Sequence, residues 1–537
     1  MPIIGSLIKG ILDLKSALAP EPDPIQAQDT VLRDLLLQAR DTAFGRANGF
    51  AWLLQQDDLK AAFARTIPIH TYDLINENWW SRIHAGEADV TWPGSPPYFA
   101  LSSGTTGNQS KKIPVTQEML AAIRKAGVKQ FSALKNFDLP ADFFEKDIMM
   151  LGSSTNLKEH NGHLEGEISG ISASNIPFWF KGYYKPGAEI SRIDDWDMRV
   201  QMIAERAAEW DVGALSGIPS WLELMMKAVI ERHGLKNIHE IWPNLQVFAS
   251  GGIAFEPYEK SFNQLLAHPI TVLDTYFASE GFFACCTRPG TRSMELITDN
   301  GIYFEFVPFE PGNMKADGSI EAFAPVHTIG EVQEGVEYVM LVSTVAGAWR
   351  YMIGDTVTFT DAQRKEIRIT GRTKFFLNVV GSQLSVDKMN DAMRHLEKCF
   401  NIAIPEFTVS AARINGQWNH VWHIGTNREG LDDRKLAEAL DAFLKEVNKN
   451  YGVARSKALK GVVVRTIPVE LFHEWNAINK KKGGQVKMER VMGEERFFEW
   501  KAFVDSALPE VQRSLGIRIG WPGHASDREG RWLGQGR

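Results

Sequence analysis

The sequence predicts an α/β protein with a large N-terminal domain and a smaller α+β C-terminal domain. Short apolar runs at residues 245–249, 271–273 and 338–342 each lead into polar residues, whereas residues 31–43 carry apolar side chains at helical spacing. In an open α/β sheet, ligands bind outside the carboxyl ends of the strands. The polar residues that follow these apolar runs are therefore expected to line one shared ligand-binding cleft.

Two helices of the large domain have recognisable ends. The helix at residues 31–43 has leucines on one side and is expected to end at Gly45. A second helix is expected to begin at Ser220, because Ser220 and Glu223 have the spacing of a capping box.

The pattern changes after residue 381 to a compact α+β unit. The expected order is helix, strand, strand, helix, strand, at residues 386–401, 407–414, 420–426, 431–448 and 461–467. We therefore predict domains at residues 1–377 and 378–519, followed by a flexible tail at residues 520–537, which is rich in glycine and charge.

Composition excludes several classes of protein. The 537 residues are 44% hydrophobic and 23% charged, with a net charge of −7, so neither a nucleic acid nor a membrane is expected as a partner. The sequence has no run of 18 apolar residues, and its three cysteines suggest neither a disulfide framework nor a metal site. A cytoplasmic protein is expected. The composition leaves the oligomeric state open.

A glycine-rich and hydroxyl-rich loop is the most informative segment of the chain. It follows an apolar run and offers flexible backbone N–H groups, hydroxyl donors and a lysine, all of which suit the phosphates of ATP. These residues are Ser102, Ser103, Gly104, Thr105, Thr106, Gly107 and Lys111. No Gly-Lys-Ser/Thr sequence closes the loop, which disfavours a Walker A motif. A polar surface turn is the alternative.

Five motifs occur along the chain in a characteristic order. They are Ser102 to Lys111, Ser250-Gly251-Gly252, Asp274 to Gly281, Trp349 to Asp355, and Gly484 to Arg490. Together they resemble the adenylate-forming superfamily and, within it, the Gretchen Hagen three family of acyl-acid amido synthetases. The resemblance covers residues 26 to about 500. It implies ATP and Mg²⁺ as cofactors, with Thr105, Lys111 and Lys487 as catalytic residues.

The resemblance also implies a nucleotide site at two strand ends. Its members there are Ser250, Gly251, Gly252, Thr275, Tyr276 and Ser279. Tyr276 is expected to stack on adenine, and the alternative for an aromatic residue at a strand end is the core. Glu280 is a hard oxygen ligand suited to Mg²⁺, and its alternative is a solvated acid.

Two further residues complete the expected nucleotide site. Asp355 is an acceptor-only carboxylate suited to two ribose hydroxyls, and Gly354 before it permits a tight turn. The alternative for Asp355 is a turn-capping aspartate. Arg372 resembles an arginine that contacts the ribose in the superfamily.

Lys487 is expected to act from the small domain. A lysine on a glycine-flanked loop can bring its charge to the reacting oxygens when that domain closes. The alternative is a solvated basic loop, because Lys480, Lys481 and Lys482 lie close by. Glu489 stands where the family usually has proline.

The expected function is an ATP-dependent ligase that adenylates a carboxylic acid and passes the acyl group to an amine, with an amino acid as the expected acceptor. One alternative is transfer to the thiol of coenzyme A, which the same fold supports in relatives. The other is a non-catalytic protein that binds acyl-adenylates. No carrier domain follows in this sequence, so a freestanding enzyme is expected.

Overall fold

The computed structural model describes residues 22–102, 111–178, 180–252, 255–315, 318–373, 384, 386–414, 417–457, 459–478 and 488–514. Within these residues the chain forms three β-sheets with helices packed around them. The predicted α/β class is therefore confirmed.

The largest sheet has twelve strands in the order β13-β12-β14-β15-β16-β11-β10-β9-β8-β7-β3-β6. Their bounds are β3 Asp147–Leu151, β6 Tyr184–Lys185, β7 Val212–Gly217, β8 Val247–Gly251, β9 Thr271–Ala278, β10 Gly281–Cys285, β11 Met294–Leu296, β12 Ile302–Pro308, β13 His327–Thr328, β14 Glu337–Thr344, β15 Tyr351–Asp361 and β16 Glu366–Arg372. The block from β6 to β9 is parallel, and the pairs from β9 to β13 are antiparallel.

A four-stranded sheet in the order β2-β1-β5-β4 carries the ends of the phosphate loop. Its strands are β1 Tyr98–Ser102, β2 Lys111–Val115, β4 Lys158–His160 and β5 His163–Gly166. Strands β1 and β2 are antiparallel, and Ser102 lies opposite Lys111. The pairing therefore brings the two ends of the loop together.

The helices of the large domain surround these sheets. They are α1 Pro24–Ala39, α2 Ala43–Ala47, α3 Phe50–Leu53, α4 Leu59–Thr66, α5 Tyr72–Ile75, α6 Ser81–His84, α7 Gln117–Ala133, α8 Ile168–Ser174, α9 Ala188–Ser191, α10 Trp196–Arg206, α11 Pro219–His233 and α12 Glu259–Asn263. Short 3-10 or π segments join several of them.

Two predicted helix ends are wrong. Helix α1 begins at Pro24 and ends at Ala39 rather than at Gly45, because Thr42 already caps the next helix by accepting a hydrogen bond from the Gly45 N–H. Helix α11 begins at Pro219, whose missing N–H suits the first helical position. Ser220 therefore lies inside the helix and is not its cap.

Buried apolar side chains hold the large domain together around its sheets. Helix α1 places Leu32 and Leu36 in the same core as Phe304 and Trp349, on strands and loops more than 260 positions away in the chain. A second core lies between the parallel strands and helices α10 and α11. Burial on this scale supplies the main driving force for folding.

The C-terminal unit confirms all five predicted elements. They are α13 Val386–Phe400, β17 Glu406–Ile414, β18 Gln417–Gly425, α14 Asp433–Val447 and β19 Leu459–Ile467. Three more helices belong to this unit: α15 Lys449–Lys457, α16 Val469–Ile478 and α17 Glu494–Ser514. The unit has its own buried cores. The predicted boundary after residue 377 and the predicted tail lie outside the described residues.

Among the described helices, none combines the length and the hydropathy that a transmembrane segment requires.

Candidate active site

The carboxyl end of β8 lies beside the middle of β9, with Ser250 opposite Asp274 and Gly251 opposite Thr275. The Thr275 hydroxyl donates to the Ser250 carbonyl at 2.8 Å. A Cβ atom at Gly251 would lie 2.7 Å from the Thr275 hydroxyl oxygen, so a side chain here would displace that hydroxyl. Gly252 then takes a positive φ of 80° as the chain leaves the strand.

Ser250 has a buried side chain whose hydroxyl has no partner among the described residues. Such a group is costly unless a ligand or water satisfies it. This strand end therefore has the character of a binding site.

Asp355 is the centre of the second part of the site. The Tyr276 hydroxyl donates to its Oδ2 atom at 2.7 Å, and Arg372 donates through Nε to its Oδ1 atom at 2.6 Å. Arg372 is the pairing partner of Asp355 across β15 and β16, and Gly354 has φ of 91°. Each carboxylate oxygen keeps acceptor capacity for a further hydroxyl.

These contacts also fix the charge states. The pKa of Arg372 is raised because it lies beside the Asp355 carboxylate. The pKa of Tyr276 is raised well above its ordinary value by burial and by the same carboxylate, so its hydroxyl keeps its proton. The side chain of Arg372 is 42% exposed, which leaves it accessible to a ligand. Asp355 lies within a strand, so it is not the turn-capping aspartate of the alternative interpretation.

Tyr276 lies in the hydrophobic core. The residue is 4% exposed, and its ring packs edge-on against Phe283, with the ring centroids 4.9 Å apart. The alternative of a core residue therefore describes its position here. Stacking on adenine stays a prediction, because it requires a face of the ring to become accessible.

Glu280 and Ser279 lie in the turn between β9 and β10. Glu280 is buried, so the alternative of a solvated acid is wrong. Burial raises the pKa of its carboxyl, the positive charge of Lys111 opposes that shift, and the Asp355 carboxylate adds to it. Glu280 therefore interacts electrostatically with both Lys111 and Asp355.

A magnesium ion suits this position. Mg²⁺ in nucleotide sites is bound by one or two carboxylates together with phosphate oxygens and water. A buried carboxylate whose charge is only partly offset by Lys111 would be stabilised by such a cation. Among the described residues, no group of three or more His, Cys, Asp or Glu side chains could hold a metal without other ligands.

Two tyrosines belong to this charged group, although the sequence did not single them out. The Nζ atom of Lys111 lies 5.3 Å from the centre of the Tyr72 ring, and the Tyr72 hydroxyl accepts a hydrogen bond from the Lys112 N–H. Tyr351 is fully buried, and the neighbouring Glu280 carboxylate adds to the effect of burial in raising its pKa. The position of Tyr351 inside the Trp349 to Asp355 motif was the only signal for either residue.

Arg350 has a structural role in the same motif as Asp355. It forms a buried ion pair with Glu305, with Nε and Oε2 at 2.9 Å, and donates to the carbonyls of Ala64 and Ile67. These bonds attach helix α4 to the strand that carries Asp355. The motif therefore contains both support and site residues.

Six predicted site residues lie outside the described residues. They are Ser103, Gly104, Thr105, Thr106, Gly107 and Lys487. Their roles stay predictions. The structure brings together eight of the remaining ones in two groups: Ser250, Gly251 and Thr275 contact one another, and Tyr276, Glu280, Asp355, Arg372 and Lys111 are linked by hydrogen bonds or electrostatically. The other three are neighbours of these: Ser102 pairs with Lys111, Gly252 follows Gly251, and Ser279 precedes Glu280.

Solved structures share this architecture. The GH3.15 acyl acid amido synthetase matches with a TM-score of 0.73 and 18% identity, over 93% of this chain and 96% of that chain. A 2-hydroxyisobutyryl-CoA ligase in the postadenylation state, in complex with 2-HIB-AMP, matches with a TM-score of 0.55 and 14% identity, over 90% and 91% of the two chains. At such identities the likeness shows the fold alone.

Profiles of one family match most of the chain. The GH3 family N-terminal, central and C-terminal domains match residues 17–208, 295–372 and 387–496. The chain therefore belongs to the GH3 family, which confirms the resemblance.

Curated relatives agree with this assignment. The indole-3-acetic acid-amido synthetase GH3.4 of Arabidopsis thaliana is 23% identical over 47% of this chain and 45% of its own length. The indole-3-acetic acid-amido synthetase GH3.15 of Arabidopsis thaliana is 23% identical over 79% of this chain and 83% of its own length. The chain thus spans less than half the length of the first of these relatives.

Proposed function

We propose that the protein is an ATP-dependent acyl-acid amido synthetase. It adenylates a carboxylic acid with release of pyrophosphate, and then transfers the acyl group to the amine of an amino acid with release of AMP. Membership of the GH3 family, whose relatives bear the name amido synthetase, supports this reaction.

One observation carries the proposal: Asp355 lies between Tyr276 and Arg372, and the buried Glu280 carboxylate lies within electrostatic range of Asp355, Arg372 and Lys111. A carboxylate fixed by two donors is positioned to accept the two hydroxyls of a ribose. Two cations and a second carboxylate beside it suit the phosphates and the metal ion of a nucleotide. A purely structural ion pair does not need this combination.

Each residue of the candidate site has a proposed role in binding the nucleotide or its metal ion. Lys111 favours the negative charge that develops on phosphate oxygens during attack on the α-phosphorus, and Arg372, bound to Asp355, would contact the ribose. Glu280 would hold Mg²⁺, which neutralises the departing pyrophosphate when it is bound. Ser250, with its unpartnered hydroxyl, together with Gly251 and Gly252, would line the nucleotide at the end of β8.

The phosphate loop and Lys487 complete the proposed machinery. Thr105 and its neighbours would donate hydrogen bonds to the phosphates, and Lys487 would bring a further positive charge when the small domain closes. Both are proposed from their place in the sequence motifs. Three cysteines in 537 residues also support the proposal of a cytoplasmic enzyme.

Pyrophosphate exchange tests this function. The purified full chain is incubated with ATP, Mg²⁺, labelled pyrophosphate and a panel of aromatic, aliphatic and indolic acids. At least one acid should support exchange into ATP. Amino acids are then added with the active acid, and a new amide together with AMP is expected.

The same assay distinguishes this function from a thioester-forming ligase and from a non-catalytic binding protein. Coenzyme A replaces the amino acids in a parallel reaction, and product formed with the thiol alone would favour the thioester-forming ligase. Asp355→Asn is expected to lose exchange, and its matched control is Asp361→Asn, because Asp361 is the last residue of the strand that carries Asp355. Absence of exchange with every acid would contradict the proposed function.

A further inference from the structure

Tyr258 of the large domain contacts the small domain. Tyr258 closes a 3-10 turn of the large domain, and its ring packs against the core of the parallel strands. Its hydroxyl donates to Oε1 of Glu406, the first residue of β17 in the small domain, at 3.3 Å. Glu406 is buried, so this contact is shielded from water.

Glu406 is also bound to Arg490. The Nη1 atom of Arg490 donates to Oε2 of Glu406 at 2.7 Å and to the Phe407 carbonyl at 3.1 Å. The guanidinium lies over the Phe407 ring, 4.5 Å from its centre. One carboxylate therefore joins a tyrosine of the large domain to an arginine of the small domain.

Arg490 belongs to the motif that contains Lys487 and follows that lysine by three residues. The backbone around Arg490 is attached to the edge of β17: Val409 donates its N–H to the Arg490 carbonyl, and Met492 donates its N–H to the Val409 carbonyl, both at 2.9 Å. Three residues span at most about 11 Å. Whatever fixes Arg490 therefore limits the region that Lys487 can reach.

We propose that Tyr258, Glu406 and Arg490 form an interdomain clasp that positions Lys487 for the adenylation step. The proposal rests on the proposed function for the role of Lys487, whereas the clasp itself rests on the contacts above. A contact that attaches the Lys487 segment to the ATP-binding domain favours the half-reaction that needs this lysine. The three residues are positioning residues, and the amide-forming step is expected to be insensitive to them.

The chain offers a matched control for this arrangement. Tyr451 donates its hydroxyl to Asp441 at 2.7 Å, and Arg455 donates to the same carboxylate at 2.7 Å. This second Tyr–carboxylate–Arg group lies wholly within the small domain. Tyr451→Phe therefore removes an equivalent hydroxyl without touching the interface between domains.

The experiment compares Tyr258→Phe, Glu406→Gln, the double variant and Tyr451→Phe in the full chain. Two rates are measured: acid-dependent pyrophosphate exchange, and amide formation from a chemically supplied acyl-adenylate and amine. Tyr258→Phe should lower exchange by roughly five- to tenfold, as expected for one lost hydrogen bond. The rate of amide formation should stay within about twofold of the wild-type rate. The exchange rate of the double variant should be no lower than that of the less active single variant, because both substitutions break the same contact.

A second readout does not depend on activity. Spin labels at the exposed positions Lys236→Cys and Glu429→Cys, in a Cys399→Ser background, report the distance between domains. Tyr258→Phe should broaden this distance distribution, and Tyr451→Phe should leave it unchanged. If the wild-type chain shows no exchange, the proposed function fails and the distances alone decide whether the clasp exists. The clasp is refuted if Tyr258→Phe leaves the distances unchanged, or if it lowers both rates equally and Tyr451→Phe does the same.

Discussion

The Tyr276 hydroxyl donates a hydrogen bond to the Asp355 carboxylate at 2.7 Å, across 79 positions of the sequence. It joins the end of β9 in the parallel part of the sheet to β15 in the antiparallel part. With Arg372 on its other oxygen, Asp355 has a fixed orientation before any nucleotide arrives. A preorganised acceptor of this kind loses little entropy when ribose binds.

Asp355→Asn should weaken ATP use most strongly. The amide keeps the shape of the side chain but turns one acceptor into a donor that faces Tyr276 or Arg372, and it leaves Arg372 without its charge partner. We expect kcat/KM for ATP in pyrophosphate exchange to fall by about a hundredfold. Asp361→Asn is the control. A similar fall of kcat/KM in both variants would show that the loss comes from disturbing strand β15 and not from removing a nucleotide ligand.

Glu280→Gln tests the proposed metal ligand. The substitution removes the negative charge that would bind Mg²⁺ and also relieves the burial of a carboxylate. We expect adenylation to slow by about a hundredfold and the Mg²⁺ titration midpoint to rise, while the urea midpoint stays equal or increases. Glu295→Gln, at a carboxylate paired with Lys129, serves as the control. A Mg²⁺ titration identical to that of the wild type would exclude Glu280 as a ligand.

Lys487→Ala should separate the two half-reactions. Adenylation needs a positive charge beside the reacting oxygens, on which negative charge develops, whereas a supplied acyl-adenylate already carries its leaving group. Pyrophosphate exchange should therefore fall by at least about a hundredfold, and amide formation from the supplied adenylate should change little. Lys482→Ala, in the neighbouring basic run, is the control. Equal loss of both activities would indicate a structural role for the basic loop.

Asp274 should make stability depend on pH. Burial raises its pKa to about 6, and the like charges of Glu256 and Glu259 add to this against Arg292 and Arg368. The folded state thus holds the proton more tightly than the unfolded chain, so the free energy of unfolding should fall as pH rises from about 4 to 6. The contribution is up to about 2–3 kcal/mol.

Urea unfolding at half-unit steps between pH 4 and 7 checks this dependence. Asp274→Asn should flatten the profile in that window, and the exposed Asp138→Asn should not. An unchanged profile in Asp274→Asn would show that the Asp274 carboxyl ionises equally in the folded and unfolded states.

Local patterns predicted much of the fold. The five C-terminal elements follow from hydrophobic periodicity, which is retained in the fold because one face of each element is buried. The expected strand end after residue 273 was wrong, because β9 continues to Ala278 and contains Asp274 and Thr275. The helix ends at Gly45 and Ser220 were wrong because each end depends on a neighbour: Thr42 caps a new helix, and Pro219 starts α11 one residue early.

The site was less predictable where its contacts are long-range. Tyr72 reaches the phosphate-loop lysine and Tyr351 the Glu280 carboxylate only after the sheets assemble, so no local spacing indicates these contacts. Arg350 shows the reverse, because a motif arginine proves to bind Glu305 and backbone carbonyls in the core. The motif indicated the strand that carries the site, but it could not show which of its residues stabilise the fold and which belong to the site.

Isotope transfer tests the central claim most directly. A carboxylic acid labelled with ¹⁸O in its carboxylate is converted to amide with ATP and the preferred amine, and the nucleotide product is analysed by mass spectrometry. If the carboxylate attacks the α-phosphorus and the amine then breaks the acyl C–O bond, one ¹⁸O atom should appear in AMP for each amide formed. Label in inorganic phosphate with ADP as the nucleotide product, or AMP without label, would contradict acyl-adenylate formation.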